Sequence, residues 1–144
     1  MILETARKVL EIEAEAVGRM IDCLDGEFEE AARMLAFCSG RVVTTGMGKS
    51  GIICRKLAAT LSSTGTPALF MHPAEAIHGD LGMIAGGDTV IMISNSGETA
   101  ELLKLLTTIK RLDIPLVAML GNMESTLARH ADHVLSIAVT REAC

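Results

Sequence analysis

The chain has 144 residues, 49% of them hydrophobic, a length and composition that predict one domain with a substantial core. Only 2% of the residues are aromatic, and Trp and Tyr are absent, so aromatic stacking platforms for bases or sugars are not expected. The formal net charge is −5 at pH 7, and Lys and Arg form no cluster. This balance argues against nucleic acid or an anionic membrane as the main partner.

No apolar run reaches the roughly 18 residues that a membrane-spanning helix needs. The N-terminus is an acidic amphipathic stretch that lacks the charged and then apolar order of an export signal. We therefore expect a cytoplasmic protein. The four cysteines, Cys23, Cys38, Cys54 and Cys144, contain no C-x-x-C pair, and we predict that they are reduced thiols.

The N-terminal residues 1–39 predict two helices. Apolar side chains recur at nearly helical spacing over residues 2–24, and Asp25-Gly26 then breaks the pattern. A second helical pattern starts near Phe28 and ends at Ser39-Gly40. This pair of helices is expected either to cover a sheet or to pack against another subunit.

Residues 40–144 predict an α/β core, because β-rich runs alternate with helical ones. The predicted strands are 42–45, 68–71, 89–93, 116–119 and 134–138, and the predicted helices between them are 50–63, 100–112 and 124–130. Such alternation predicts parallel strands joined by crossover helices, which is a three-layer α/β/α sandwich. Ligands of such folds bind beyond the carboxyl ends of the strands.

Residues 94–99, Ser-Asn-Ser-Gly-Glu-Thr, stand between a predicted strand and a predicted helix. In this arrangement free backbone N–H groups and the positive end of the helix point at one spot beside three hydroxyl groups, which suits a phosphate. The alternative is ordinary N-capping, in which the hydroxyls satisfy the first helical N–H groups. Capping needs only one such residue, so three hydroxyls around a glycine favour the phosphate.

Residues 46–51, Gly-Met-Gly-Lys-Ser-Gly, match the dinucleotide-binding fingerprint literally. The acid that should follow about 20 residues later is missing, since Met71, His72 and Pro73 stand there. A nucleoside triphosphate loop is also excluded, because Val43 occupies the position of its first glycine. The glycines instead allow a tight turn that brings Lys49 to the carboxyl edge of the sheet, where an ammonium group could balance a phosphate or polarise a substrate oxygen. The alternative for Lys49 is a solvated surface lysine.

The acidic and histidine side chains near these turns carry little information by themselves. Glu98 and Glu101 are predicted to lie one helical turn apart on one face, where acids commonly complement the helix dipole. His72 and His78 are six residues apart, which is not a recognised zinc spacing, so a catalytic metal is not expected. His130 and His133 are interpreted as surface residues.

The 46–51 and 94–99 motifs, together with His-Pro-Ala-Glu-Ala-Ile-His-Gly-Asp-Leu-Gly at 72–82, resemble the sugar isomerase (SIS) domain family in order and spacing. The resemblance runs from about Gly40 to the last residue and implies a five-stranded parallel sheet in the order 2-1-3-4-5. Within the family the chain resembles the branch that interconverts D-ribulose 5-phosphate and D-arabinose 5-phosphate. The resemblance therefore implies an aldose–ketose isomerase that works through an enediol and requires no cofactor.

The resemblance also implies roles for individual residues. The catalytic residues it indicates are Lys49, His78, Glu101 and Glu142, with the choice of Glu101 or Glu142 as proton carrier left open. Together with the motif argument above, it indicates substrate or phosphate binding by Gly48, Ser50, Gly65, Thr66, His72, Ser94, Asn95, Ser96, Gly97 and Thr99. His72 is in addition a position where the resemblance implies an inhibitory zinc ion.

Three further expectations come from the resemblance. Members of the family assemble as tetramers, so we expect a homo-oligomer. Relatives continue past the position of Cys144 with helices that carry another histidine, so this chain is either part of a longer protein or a form that binds sugar phosphate without efficient turnover. The rival to an isomerase is a non-catalytic SIS module that binds a sugar phosphate and signals to a partner. The pathway, lipopolysaccharide precursor synthesis or polyol use, and the preferred sugar stay open.

Overall fold

The computed structural model describes residues 1–143 except for the side chain of Asp80, and Cys144 lies outside the described residues. The helices are α1 Ile2–Arg19, α2 Gly26–Ala36, α3 Gly48–Ser63, α4 Pro73–Ile77, α5 Ala100–Arg111 and α6 Thr126–His130. The strands are β1 Val42–Thr45, β2 Ala68–Phe70, β3 Thr89–Ser94, β4 Leu116–Leu120 and β5 His133–Ser136. Two short 3₁₀ helices cover Met20–Cys23 and Asp80–Met83.

The five strands form one parallel sheet in the order β2-β1-β3-β4-β5, which confirms the predicted order. The central strand β3 is buried at all six positions, because helices cover both faces of the sheet. The strand order reverses at β1, so that α3, which follows β1, and α5, which follows β3, lie on opposite faces. A crevice therefore opens between the carboxyl ends of β1 and β3.

Two apolar cores separate the three layers. On one face Val43, Val90 and Met92 pack against Leu102 and Leu105 of α5. On the other face Val42, Ile91, Ile93 and Val117 pack against Ala31 of α2 and Cys54 of α3. Alternate strand residues thus supply alternate cores, and the predicted three-layer sandwich is confirmed.

The two N-terminal helices differ in their packing. Helix α2 contacts β5 and buries Ala31, so it covers the sheet. Helix α1 buries only Ile12 and leaves apolar side chains such as Leu10 (64%) and Val17 (69%) largely exposed. An exposed apolar stripe of this kind suits contact with a second copy of the chain, and the homo-oligomer stays a prediction.

Helix α4 and the 3₁₀ turn after it lie between the predicted strands 68–71 and 89–93, where we predicted no helix. Pro73 occupies the start of α4, and His72 Nδ1 accepts a hydrogen bond from the Ala74 N–H (3.3 Å). With five residues, α4 is too short to show a helical period in the sequence. The structure therefore places His72 and His78 at the two ends of a helix.

Three of the four cysteines are described, and Cys23, Cys38 and Cys54 are free thiols, as predicted. The prediction for Cys144 lies outside the described residues. Burial raises the pKa of the Cys54 thiol to about 11, which keeps it protonated at neutral pH. Among residues 1–143, no helix has the length and apolar character that a membrane crossing requires.

Candidate active site

The 94–99 turn joins the end of β3 to the start of α5. Gly97 has φ +65°, which allows the chain to reverse here. The Ser94 hydroxyl is buried, accepts a hydrogen bond from the Gly97 N–H (3.0 Å) and lies 3.1 Å from Thr99 Oγ1. Ser96 Oγ accepts from the Glu98 N–H (3.2 Å). These hydroxyls therefore shape the turn itself.

The alternative for this turn was ordinary N-capping of α5 by a hydroxyl group. Within the described chain, no side chain caps the first N–H groups of α5. Thr99 is the N-cap residue, yet its side chain makes no capping hydrogen bond. The first helical bond runs from the Leu103 N–H to the Thr99 carbonyl (3.0 Å). Within the described chain, the N–H groups of residues 100–102 have no hydrogen-bond acceptor. The N-terminus of a 12-residue helix thus presents three donors to a ligand.

The 94–99 turn is braced by the loop between β4 and α6 and by α6 itself. The Asn122 N–H donates to the Asn95 carbonyl (3.0 Å), and the Leu127 N–H donates to the Gly97 carbonyl (3.2 Å). Ser125, which is 1% exposed, lies so close to Gly97 that a Cβ there would overlap its hydroxyl. The turn is therefore rigid because a second loop packs against it.

Glu98 does not share a helical face with Glu101, so that prediction was wrong. Thr99 is extended (ψ 119°), and α5 begins at Ala100, which leaves Glu98 outside the helix. The Glu98 carboxylate instead accepts a hydrogen bond from the Thr126 N–H of α6 (2.6 Å). This bond lowers the pKa of Glu98, with a smaller contribution from the nearby Arg129. Glu101 is half-buried in the first turn of α5.

The glycine-rich turn after β1 places Lys49 as predicted, in the first turn of α3 beyond the carboxyl end of β1. A Cβ on Gly51 would lie 2.6 Å from the Gly46 carbonyl oxygen, so α3 starts in close contact with the end of the strand. Gly48 has φ +54°, and Ser50 is half-buried in the same turn. Because β1 and β3 are neighbours in register, this turn and the 94–99 turn leave the same edge of the sheet.

Lys49 and Glu142 line one open cleft of about 300 Å³, although they are far apart in sequence. The other residues that line it are Ile12, Glu13, Ala16, Val139, Arg141 and Ala143. The cleft thus lies between α1, the start of α3 and the segment after β5. The contribution of α1 was not predicted, because its sequence pattern shows only an amphipathic helix.

The remaining predicted residues divide between the two edges of the sheet. His72 and His78 follow β2 and lie at the same edge as Lys49, and His72 Nδ1 accepts a hydrogen bond from the Ala74 N–H. Gly65 and Thr66 precede β2 and lie at the opposite edge, where Pro67 accepts from the first residue of β1. One chain therefore does not bring Gly65 and Thr66 together with the 94–99 turn.

A metal site at His72 stays a prediction. Among residues 1–79 and 81–143, the His, Cys, Asp and Glu side chains form no group of three or more that could hold a metal ion. Ser125 is the bracing residue that sequence reasoning missed. Its position before a short helix indicates an N-cap, which it provides to Ala128, but nothing in the spacing indicates its contact with Gly97.

Fold and site together define a doubly wound α/β domain whose polar residues gather at the carboxyl edge of the sheet, beside the point where the strand order reverses. The chain belongs to the SIS domain family, whose model matches residues 35–144.

Proteins similar to this chain include two curated relatives named arabinose 5-phosphate isomerase KdsD. The one from Escherichia coli K12 is 48% identical over 141 residues, which cover 98% of this chain and 43% of the relative. The one from Pseudomonas aeruginosa is 49% identical over 142 residues, covering 99% of this chain and 44% of the relative. The chain thus spans less than half the length of these relatives.

A solved structure is also similar. It is an Escherichia coli CFT073 protein in complex with a sugar phosphate, which is 45% identical and superimposes with a TM-score of 0.94. The match covers 99% of this chain and 76% of that chain.

Replacing Gly97 with Ala is expected to lower the free energy of unfolding by about 2–4 kcal/mol, because the added Cβ meets Ser125 and the positive φ becomes strained. Urea denaturation measures this loss. The control is Gly18→Ala in α1, where a Cβ meets nothing within 4 Å and where Ala should stabilise the helix by up to about 1 kcal/mol. A Gly97→Ala variant as stable as the parent would show that the turn does not depend on this contact.

Glu98→Gln is expected to reduce stability at pH 7 and to have a smaller effect at pH 3, below the ordinary pKa of 4.5. The pKa of Glu98 is lowered from its ordinary 4.5 in the folded state, so its stabilising contribution is complete above that value. The contribution is lost as the pH falls through the lower, folded-state pKa. The measurement is the urea midpoint at both pH values.

The control for that experiment is Glu124→Gln, because Glu124 lies two residues before Thr126 and its carboxylate accepts no hydrogen bond from the part of the chain that the structure describes. Equal urea midpoints for the two variants at pH 7 would contradict the bracing role of Glu98.

Proposed function

We propose that the chain carries the activity of an aldose–ketose isomerase that interconverts D-ribulose 5-phosphate and D-arabinose 5-phosphate through an enediol. The observation that carries this proposal is the set of three unpaired N–H groups at the start of α5, at the same edge of the sheet as Lys49. The names of the two similar isomerases support the choice of sugar, and the ligand of the similar solved structure supports a sugar phosphate as the substrate class.

The substrate phosphate would bind at the N-terminus of α5. The N–H groups of residues 100–102 would donate to its oxygens, and the positive end of the helix favours its charge. Ser96 is exposed at this turn and would add a hydroxyl donor. Since the phosphate is remote from the reacting carbons, its binding energy can be used to position C1 and C2.

The chemistry would take place at the other end of the sugar. A carboxylate, Glu101 or Glu142, would carry a proton between C1 and C2 as a general base and then a general acid. Lys49 would stabilise the negative charge that develops on the substrate oxygen, and it shares a cleft with Glu142. His78, exposed at the end of α4, would orient sugar hydroxyls or assist ring opening.

Glu101→Gln and Glu142→Gln, made in parallel, identify the proton carrier. The variant that removes it is expected to lose at least about 10²-fold in kcat with little change in KM, because a general base is used in the transition state and contributes little to binding. A coupled assay with arabinose 5-phosphate measures both constants, and Glu124→Gln is the control.

Two results would contradict the proposal. If neither variant lowers kcat, neither carboxylate carries the proton. If the parent chain, and the same chain extended to the length of its relatives, bind arabinose 5-phosphate without forming ketose, the domain is a non-catalytic sugar-phosphate-binding module.

A further inference from the structure

The segment that follows β5 has little backbone support. The last bond of the sheet ladder runs from the Ile137 N–H to the Leu120 carbonyl (2.9 Å), and the Ala138 N–H reaches only Ser136 Oγ (3.4 Å). Within residues 1–143, no backbone hydrogen bond involves residues 139–143. We call residues 138–143 the C-terminal strap. Its position must depend on side-chain contacts.

Those contacts come from α1, at the other end of the chain. Arg19 donates to the Thr140 hydroxyl (3.0 Å) across 121 positions of sequence. Glu15 accepts from Arg19 (2.6 Å) and pairs through its other oxygen with Arg141 at 3.6 Å. Glu15 therefore bridges two arginines, one of which belongs to the strap and the other of which binds the strap.

Apolar packing beneath this bridge is incomplete. A cavity of about 40 Å³ lies between α1 and residues 138–141, lined by Ile12 and Ala16 beside the charged pair. The next residue along the strap is Glu142, which faces the cleft that it shares with Lys49. The Glu15–Arg141 pair thus ties the strap to α1 one residue before Glu142.

We propose that Glu15 is a positioning residue, which holds the strap against α1 so that Glu142 stays across the cleft from Lys49. This inference rests on the proposed function, in which Glu142 takes part in proton transfer. The four charged or polar partners are solvent-accessible, and exposed ion pairs add little to global stability. The effect of losing Glu15 should therefore be local to the strap and to turnover.

Glu15→Gln is expected to loosen the strap without unfolding the protein. In ¹⁵N relaxation measurements, order parameters for residues 139–143 should fall from about 0.8 in the parent to below about 0.6 in the variant. In the coupled assay kcat should fall about two- to fivefold, the rate equivalent of one exposed ion pair, while KM is unchanged. A purely structural role of Glu15 would give neither a fall in kcat at unchanged KM nor a loss of order confined to the strap.

Two further variants sharpen the test. Glu29→Gln is the matched control, because Glu29 pairs with Arg33 one turn along α2 as Glu15 pairs with Arg19, but it has no contact with the strap. It should leave both the order parameters and kcat at the parent values. The Glu15→Gln/Arg141→Gln double variant should lose no more strap order than the more affected single variant, since both changes break the same contact.

The possible results separate the inference from the proposed function. Strap order parameters equal in Glu15→Gln and Glu29→Gln would overturn the holding role. A loosened strap with parent-like kcat would overturn the positioning role. A parent chain with no turnover, even when extended, would be a failure of the proposed function, and the order parameters would still decide whether Glu15 holds the strap.

Discussion

The contact between two neighbouring loops determines what the carboxyl edge of this sheet offers to a ligand. The loop after β4 packs its buried Ser125 against Gly97 and donates backbone hydrogen bonds to the 94–99 turn. The second loop packs against this turn, and the hydroxyls of the turn form hydrogen bonds within it. Within the described chain, the first N–H groups of α5 have no acceptor. Three fixed donors at a helix N-terminus need no rearrangement to receive an anion, which favours tight binding of a phosphate.

The charged groups at the carboxyl edge of the sheet come from widely separated parts of the chain. The reversal of strand order places the Lys49 turn next to the 94–99 turn, so a topological feature brings an ammonium group to the same edge. Glu142 belongs to the C-terminal strap after β5, and residues of α1 line the same cleft. The N-terminal helix therefore lines this cleft and also presents an exposed apolar surface.

Much of the framework could be predicted from the sequence, because local patterns carry that information. The strands were placed within about two residues, since each is a short β-rich run between turn residues, and the strand order came from the family resemblance. The positions of the 46–51 and 94–99 turns at strand ends could also be predicted from the sequence. Glycine and hydroxyl residues mark such turns directly.

The features that we did not predict from the sequence depend on contacts between distant residues, which the spacing of residue types does not encode. Glu98 was assigned to a helix face because the extended Thr99 was not foreseen, and its actual partner, Thr126, lies 28 positions away. The Arg19–Thr140 bond spans 121 positions. Gly65 and Thr66 were grouped with the site through family resemblance, yet they lie at the opposite edge of the sheet within one chain. Their predicted role is untested.

A crystal structure of the chain with arabinose 5-phosphate would test most directly whether the phosphate binds at the N-terminus of α5. The proposed binding mode places phosphate oxygens within about 2.7–3.2 Å of the N–H groups of residues 100–102, with C1 and C2 directed toward Lys49 and the cleft. A phosphate bound elsewhere, with those N–H groups unoccupied, would contradict it.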